Sequence, residues 1–251
     1  MTRFPMRGGE PLTAPRDPAR EVQVVGPYNS GTNLMFKYQR RLFDTDSRIH
    51  KIFAKHSLPP DYRWGGKGCI WSPGAPVPLA KIRKVTLFLC MVRRPYFWLL
   101  STCRRSYKIS FLDGGKQFSD RIRSRIRFQD LTYESLMELW NVYYRAYEQH
   151  LEPHRTIYVR LEDLVGVPQA VLLDLHDHLV PNLEISMEEL IEEISNTPAK
   201  KHGGECIHGE QAKREYSAEK VRERISPEDL AFINDRLDPR LMEKFRYPFE
   251  P

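Results

Sequence analysis

An apolar run in the first half of the chain constrains the fold most strongly. Residues 84–92, KVTLFLCMV, carry almost only apolar side chains. A strand built from them would be apolar on both faces, which is typical of the centre of a parallel sheet covered by helices. Arg93, Arg94 and Pro95 follow directly, and proline favours the first turn of a helix. We therefore predict a central strand over 84–92 that leads into a helix over 95–107.

Strand-like and helix-like segments alternate along the rest of the chain. The predicted strands are 21–26, a short strand ending at Lys55–His56, and 155–164. The predicted helices are 32–43, 131–151, 166–179, 186–195 and 226–245, and the predicted polar loops are 61–80 and 200–217. Alternation of this kind predicts an α/β fold, a parallel β-sheet flanked by helices on both faces. Ligands of such sheets bind at the carboxyl ends of the strands.

The length of 251 residues fits one domain. We expect a flexible, Pro-, Gly- and Arg-rich tail over 1–20 and a single domain over 21–251. No apolar run reaches the ~18 residues of a membrane helix, and the first residues lack the apolar core of a secretory signal. The four cysteines form no C-x-x-C pair. These features predict reduced thiols and a cytoplasmic protein without a membrane partner.

Positive charge is concentrated in one segment. The chain has a net charge of +6, and residues 104–127 hold eight basic and two acidic side chains. Such a patch attracts anions of any kind. It fits a nucleic-acid surface or an anionic small ligand, and we favour the small ligand. On this interpretation Arg104 and Arg105 border a nucleotide site, and the rest is a solvated helix face.

A glycine pair follows the first predicted strand. In VVGPYNSGTNLM, residues 24–35, Gly26 and Gly31 form the G-x-x-x-x-G frame of a phosphate-binding loop. Backbone N–H groups of such a turn and of the following helix start can hold an anion, and Ser30, Thr32 and Asn33 add side-chain donors. A nucleoside triphosphatase would carry Lys and then Ser or Thr where this chain has Thr32 and Asn33. The pattern therefore favours a ligand bound without a metal, with a ligand-free turn as the alternative.

A second group of donors follows the central strand. Arg93 stands at the strand end and Ser101 lies one to two turns into the next helix. Helical geometry can bring the Ser101 hydroxyl back toward Arg93. A planar guanidinium and a hydroxyl together would bind a second phosphate. Taken alone, a capping or solvated arginine is the better explanation of Arg93.

The two groups together resemble the sulfotransferase superfamily, whose members use 3′-phosphoadenosine 5′-phosphosulfate (PAPS) and release adenosine 3′,5′-bisphosphate (PAP). Ser-Gly-Thr at 30–32, Arg93 and Ser101, YVRLEDL at 158–164 and the segment from Ser226 to Phe249 carry the resemblance, which spans about 22–248. It implies a P-loop-like fold, a 5′-phosphosulfate on the first loop, a 3′-phosphate on Arg93 and Ser101, and no metal. We extend the loop contacts over 28–33, which adds Tyr28 and Asn29.

The resemblance also implies catalytic residues. Family members often carry a lysine and a histidine after the second strand, where Lys55 and His56 stand here. His56 would take the proton of a small-molecule acceptor, because a histidine with a pKa of about 6.5 is largely neutral at pH 7. Lys55 would stabilise charge on the sulfuryl or leaving group. The acceptor, an alcohol, a phenol or a nitrogen compound, stays open.

The chain departs from the family at three places. Lys55 and His56 are adjacent, whereas the common form in the family is Lys-Thr-His. Asn29 replaces a lysine that often precedes Ser-Gly-Thr, and we expect Lys55 to compensate. The basic glycine loop that closes on the 3′-phosphate has its nearest counterpart in AKKHGG, 199–204, which makes Lys200 and Lys201 candidates.

Two other functions stay open on sequence grounds. A P-loop kinase or another nucleotide-dependent transferase shares the glycine frame, and a nucleic-acid-binding protein would use 104–127. His202, Cys206 and His208 have the residue types of a metal site, but no fourth ligand stands at a matching spacing, and we predict no metal.

Overall fold

The computed structural model describes residues 6–7, 10–11, 22–43, 87–106, 108–128, 131–151, 156–176, 178–179, 186–196 and 207–251. The strands are β1 (Met6–Arg7), β2 (Glu10–Pro11), β3 (Val22–Val25), β4 (Leu87–Val92), β5 (Ser110–Phe111), β6 (Ile126–Phe128), β7 (Leu131–Tyr133) and β8 (Thr156–Arg160). The helices are α1 (Thr32–Leu42), α2 (Pro95–Arg104), α3 (Phe118–Arg123), α4 (Leu136–Leu151), α5 (Leu161–Gly166), α6 (Pro168–His176), α7 (Met187–Asn196), α8 (Gly209–Glu215), α9 (Ala218–Arg224), α10 (Pro227–Asn234) and α11 (Pro239–Lys244).

The main sheet has the order β2-β1-β8-β4-β3. Strands β3, β4 and β8 run parallel, with Val24 opposite Leu89 and Leu89 opposite Ile157. Strands β1 and β2, which come from the predicted tail, are antiparallel additions at the β8 edge. The prediction of an α/β fold with a parallel sheet is confirmed, and β4 lies between two parallel neighbours as its apolar run indicates.

Helices cover both faces of this sheet. Successive residues of β4 point to opposite faces, so Cys90 belongs to one buried cluster and Leu89 to the other. The first cluster is aromatic and joins the sheet to α2, α4 and α9–α11. The second joins it to α1, α6 and α7. Every residue of β4 is buried.

The predicted helix over 131–151 is wrong at its start. Leu131–Tyr133 forms β7, and the helix begins at Leu136. Strand β7 pairs with β6, and β6 pairs with β5, in a second, antiparallel sheet. The apolar stripe of the helix is as predicted, because Trp140, Tyr143 and Tyr147 are at most 1% exposed.

The basic segment and the C-terminal region also differ from the sequence-based prediction. Residues 104–127 hold a short helix, α3, and two strands of the antiparallel sheet, not one solvated helix face. Within the predicted loop 200–217, residues 209–215 form α8. The predicted helix over 226–245 is two helices, α10 and α11, because Pro239 lacks the N–H that a continuous helix would use. Among the described residues, no helix combines the length and apolar character of a bilayer span.

Candidate anion-binding site

The turn between β3 and α1 has a conformation that its residue types explain. Asn29 and Gly31 both have positive φ, 65° and 86°, which glycine and asparagine tolerate better than other residues. A Cβ on Gly26 would stand 3.0 Å from the Met91 carbonyl oxygen. The turn therefore packs directly on β4 at the carboxyl end of the sheet. The left-handed backbone at residue 29 gives a physical reason for asparagine there in place of lysine.

Helix α2 and Arg93, which precedes it, hold this turn in place through three hydrogen bonds. Trp98 Nε1 donates to the Tyr28 carbonyl at 2.7 Å, and Arg93 Nη1 donates to the Asn29 carbonyl at 2.8 Å. Asn29 Nδ2 donates to Thr102 Oγ1 at 3.3 Å. The two predicted binding segments, the glycine turn and the Arg93–Ser101 segment, are thus one connected unit.

The predicted donors of the turn differ in accessibility. Ser30 is fully buried and its hydroxyl donates to the Pro27 carbonyl at 2.7 Å, so this hydroxyl holds the turn together. Thr32 is 3% exposed, whereas Asn33 is exposed. Among the described residues, the backbone N–H groups of Gly31 and Thr32 have no acceptor. Together with the N-terminal dipole of α1, these N–H groups are suited to an anion.

Hydrogen bonds of the backbone and a ring contact of the side chain hold Arg93 in position. Its backbone N–H donates to the Tyr144 hydroxyl at 3.4 Å, and its carbonyl accepts from Trp140 Nε1 at 3.2 Å. Burial raises the pKa of Tyr144 well above the ordinary value, so this hydroxyl stays neutral. The guanidinium lies over the Tyr216 ring at 5.6 Å. Its Nε is buried without a hydrogen-bond partner among the described residues.

Arg93 and Ser101 line the same cavity, which has a volume of about 140 Å³. Its other polar lining residues are Arg104 from α2, Glu215 and Tyr216 from the end of α8, and Arg224 from α9. Phe97, Leu100 and Ile207 complete the wall. The cavity therefore presents three guanidinium groups, two hydroxyls and one carboxylate.

Sequence reasoning found part of this lining. Arg104 follows Ser101 by three residues, and side chains at that spacing share a helix face. Arg224 and Glu215 were missed. Both lie more than 100 positions from Arg93, and no local pattern connects them with it.

Arg94 has a different role from its neighbour. It is 7% exposed and forms an ion pair with Glu250, which is 2% exposed. Its backbone N–H donates to Glu162 at 3.0 Å, and Glu162 also accepts from the Tyr247 hydroxyl at 2.9 Å. Arg94 thus anchors the C-terminal residues, and Arg93 alone of the pair lines the cavity.

Much of the basic segment is bound within the protein. Arg123 forms an ion pair with Asp229, and Arg125 with Asp113. Arg121 donates to the Cys103 carbonyl. These three arginines stabilise local structure, which weakens the interpretation of 104–127 as a nucleic-acid surface.

Several predicted site residues lie outside the described residues: Lys55, His56, Lys200, Lys201, His202 and Cys206. His208, the N-cap of α8, is described, and burial lowers its pKa. Within the part of the chain that the structure describes, no three His, Cys, Asp or Glu residues form a group suited to a metal ion.

Comparison of the chain with protein-family models, curated proteins and solved structures finds no match. The geometry of this site and the resemblance in its motifs are therefore what indicate a function for the chain.

Proposed function

We propose that this protein is a sulfotransferase that moves a sulfuryl group from PAPS to a small-molecule acceptor. One observation carries the proposal. Arg93 lines the cavity that also contains Ser101, and the same guanidinium donates to the Asn29 carbonyl in the glycine turn at 2.8 Å. The glycine turn and this cavity are thus two adjoining anion sites, which a ligand with phosphates at both ends of an adenosine would occupy together.

The donor types suit the two ends of that ligand. The N–H groups of Gly31 and Thr32, which have no acceptor within the described part of the chain, would bind the 5′-phosphosulfate. The Arg93 guanidinium and the Ser101 hydroxyl, whose residues line one cavity, would bind the 3′-phosphate. Residue 32 is threonine where a kinase loop carries lysine, so binding without magnesium is favoured over the kinase alternative.

In the proposed reaction an oxygen or nitrogen of the acceptor attacks sulfur, the sulfur–oxygen bond to PAP breaks, and the acceptor loses its proton. His56 is the proposed proton acceptor and Lys55 the proposed charge-stabilising residue, both from the sequence resemblance. The described residues contribute by holding the donor nucleotide in a fixed orientation. Positioning of this kind is a main source of rate enhancement in transfer reactions.

Calorimetric titration with PAP in magnesium-free buffer tests the proposal. We expect saturable binding by the wild-type protein and at least a tenfold loss in Arg93→Ala, because a charge-assisted contact contributes roughly 1.5–3 kcal/mol. Arg127→Ala is the matched control. Arg127 is an exposed arginine of β6, and its removal changes the net charge equally.

The result also separates the alternatives. A kinase would bind ATP with magnesium, and a 3′-phosphate would not increase its affinity for a nucleotide. A nucleic-acid-binding protein would bind oligonucleotides in a salt-dependent manner and lose as much affinity in Arg127→Ala as in Arg93→Ala. Absence of PAP binding by the wild-type protein at millimolar concentration would overturn the proposal. If PAP binds, mass spectrometry of candidate acceptors incubated with PAPS then identifies the sulfated product.

A further inference from the structure

One acidic side chain lies in a cavity whose other charged side chains are all basic. Glu215 Oε2 lies 2.5 Å from Arg224 Nη2, and both groups line the cavity beside Arg93 and Arg104. The Glu215 side chain is 38% exposed and that of Arg224 is 40% exposed. The carboxylate therefore occupies one of the three guanidinium groups that an incoming anion would use.

The Glu215–Arg224 pair is not what holds α8 and α9 together. The Ser217 hydroxyl accepts a hydrogen bond from the Lys220 N–H at 3.3 Å and caps α9. Tyr216 N–H donates to the Ala212 carbonyl at 2.9 Å and closes α8. Val221 anchors α9 in the aromatic core. A half-exposed ion pair adds little stability to such an arrangement, so side-chain rotation can open it without unfolding either helix.

The charges of the cavity explain what can open the pair. A phosphate monoester carries close to two negative charges at pH 7 and binds a guanidinium through two parallel hydrogen bonds. A carboxylate competes for the same guanidinium with one charge. A ribose hydroxyl carries no charge and therefore does not displace the carboxylate from the guanidinium.

We propose that Arg224 is a further ligand of the 3′-phosphate and that the Glu215 carboxylate competes with this phosphate for it. This inference rests on the proposed function and adds two residues to it. The 3′-phosphate displaces the Glu215 carboxylate and gains Arg224 as a further ligand. A nucleotide with a free 3′-hydroxyl leaves the pair closed and binds only through the glycine turn. Glu215 thus acts as an internal competitor, and Arg224 as a binding residue that becomes available to a phosphate.

The test compares two nucleotides on the wild-type protein and on two charge-matched variants. PAP and adenosine 5′-monophosphate, which lacks the 3′-phosphate, are titrated into the wild-type protein, Glu215→Gln and Glu210→Gln. Glu210 lies on the same helix and pairs with Lys213 at 2.5 Å, so its substitution changes the charge equally outside the cavity lining. We expect Glu215→Gln to bind PAP about tenfold more tightly than wild type. The affinity for adenosine 5′-monophosphate should change less than twofold, and Glu210→Gln should resemble wild type with both nucleotides.

Arg224→Gln completes the test. This substitution should lower the affinity for PAP about tenfold and leave the affinity for adenosine 5′-monophosphate unchanged. In the double variant, the increase in PAP affinity caused by Glu215→Gln should fall below threefold. If wild type binds PAP but Glu215→Gln matches Glu210→Gln, the inference is wrong and the proposed function stands. An equal gain for both nucleotides would also overturn the inference, because it would reflect a general change in charge. If wild type binds no PAP, the proposed function fails and the inference fails with it.

Discussion

The buried ion pair between Arg94 and Glu250 gives the sharpest stability prediction. Glu250 is 2% exposed, and its carboxylate contacts Arg94, whose side chain is 9% exposed. The backbone of Glu250 is bound as well, since its N–H donates to the Tyr96 hydroxyl at 2.9 Å and its carbonyl accepts from Asn234 Nδ2 at 2.6 Å. Glu250→Gln removes the negative charge and keeps the side-chain shape, so the Arg94 cation stays buried without its partner.

Removing one partner of a buried pair is expected to lower the free energy of unfolding by about 3 kcal/mol. A second contact, from Arg222 to Glu250 at 3.5 Å, adds little, because the Arg222 side chain is half exposed. For a chain of this length the loss corresponds to a decrease of roughly 6–12 °C in Tm. Circular dichroism on heating and in urea measures both quantities.

Glu223→Gln is the control, because Glu223 pairs with Lys220 at 2.6 Å on the helix surface with 49% exposure. An exposed pair of this spacing contributes little to the free energy of unfolding. If the two substitutions differ by less than about 1 kcal/mol, the Arg94–Glu250 pair does not stabilise the C-terminal residues, and the reasoning is refuted.

Two further predictions follow from backbone conformation and burial. Gly31→Ala places a Cβ 2.5 Å from Leu161 Cδ1 at φ 86°, whereas Gly114→Ala meets no atom within 4 Å at φ 81°. The positive φ should lower the free energy of unfolding of both variants by about 1 kcal/mol. Overpacking should lower that of Gly31→Ala by about 1 kcal/mol or more in addition. Equal losses in urea unfolding would contradict the packing argument. Cys90 is fully buried, and burial raises the pKa of Cys103 to about 12. Iodoacetamide at pH 8 should therefore modify neither thiol in the native protein and both in urea, and peptide mass mapping that finds native Cys103 labelled would refute this.

The sequence predicted those elements whose signals are local. The apolar run of β4 is unbroken, so its central place in a parallel sheet follows from the run alone. Pro95 marks the start of α2 because its ring fits the first turn of a helix. The two glycines of the first turn indicated the frame of a phosphate-binding loop, and Gly31 has a positive φ in that turn. The spacing of Arg93 and Ser101 predicted their approach, and both line one cavity.

Other elements depend on partners far along the chain. Leu131–Tyr133 continues the pattern of the following helix, and only its pairing with β6 makes it a strand. Residues 209–215 look like a polar loop because they are rich in charge. Their helix packs one buried side chain, Ala212, against Leu161 and Val165, which no spacing within the segment reveals.

The sequence by itself determined the layered α/β class and the two turns that carry the candidate anion donors, since periodicity, proline and glycine act on their immediate neighbours. Only the tertiary structure decided what surrounds those donors. Glu215 and Arg224 come to Arg93 because Tyr216, which lies between α8 and α9, packs on Phe97 of α2. Ion-pair geometry depends on distances in space that local sequence patterns do not encode.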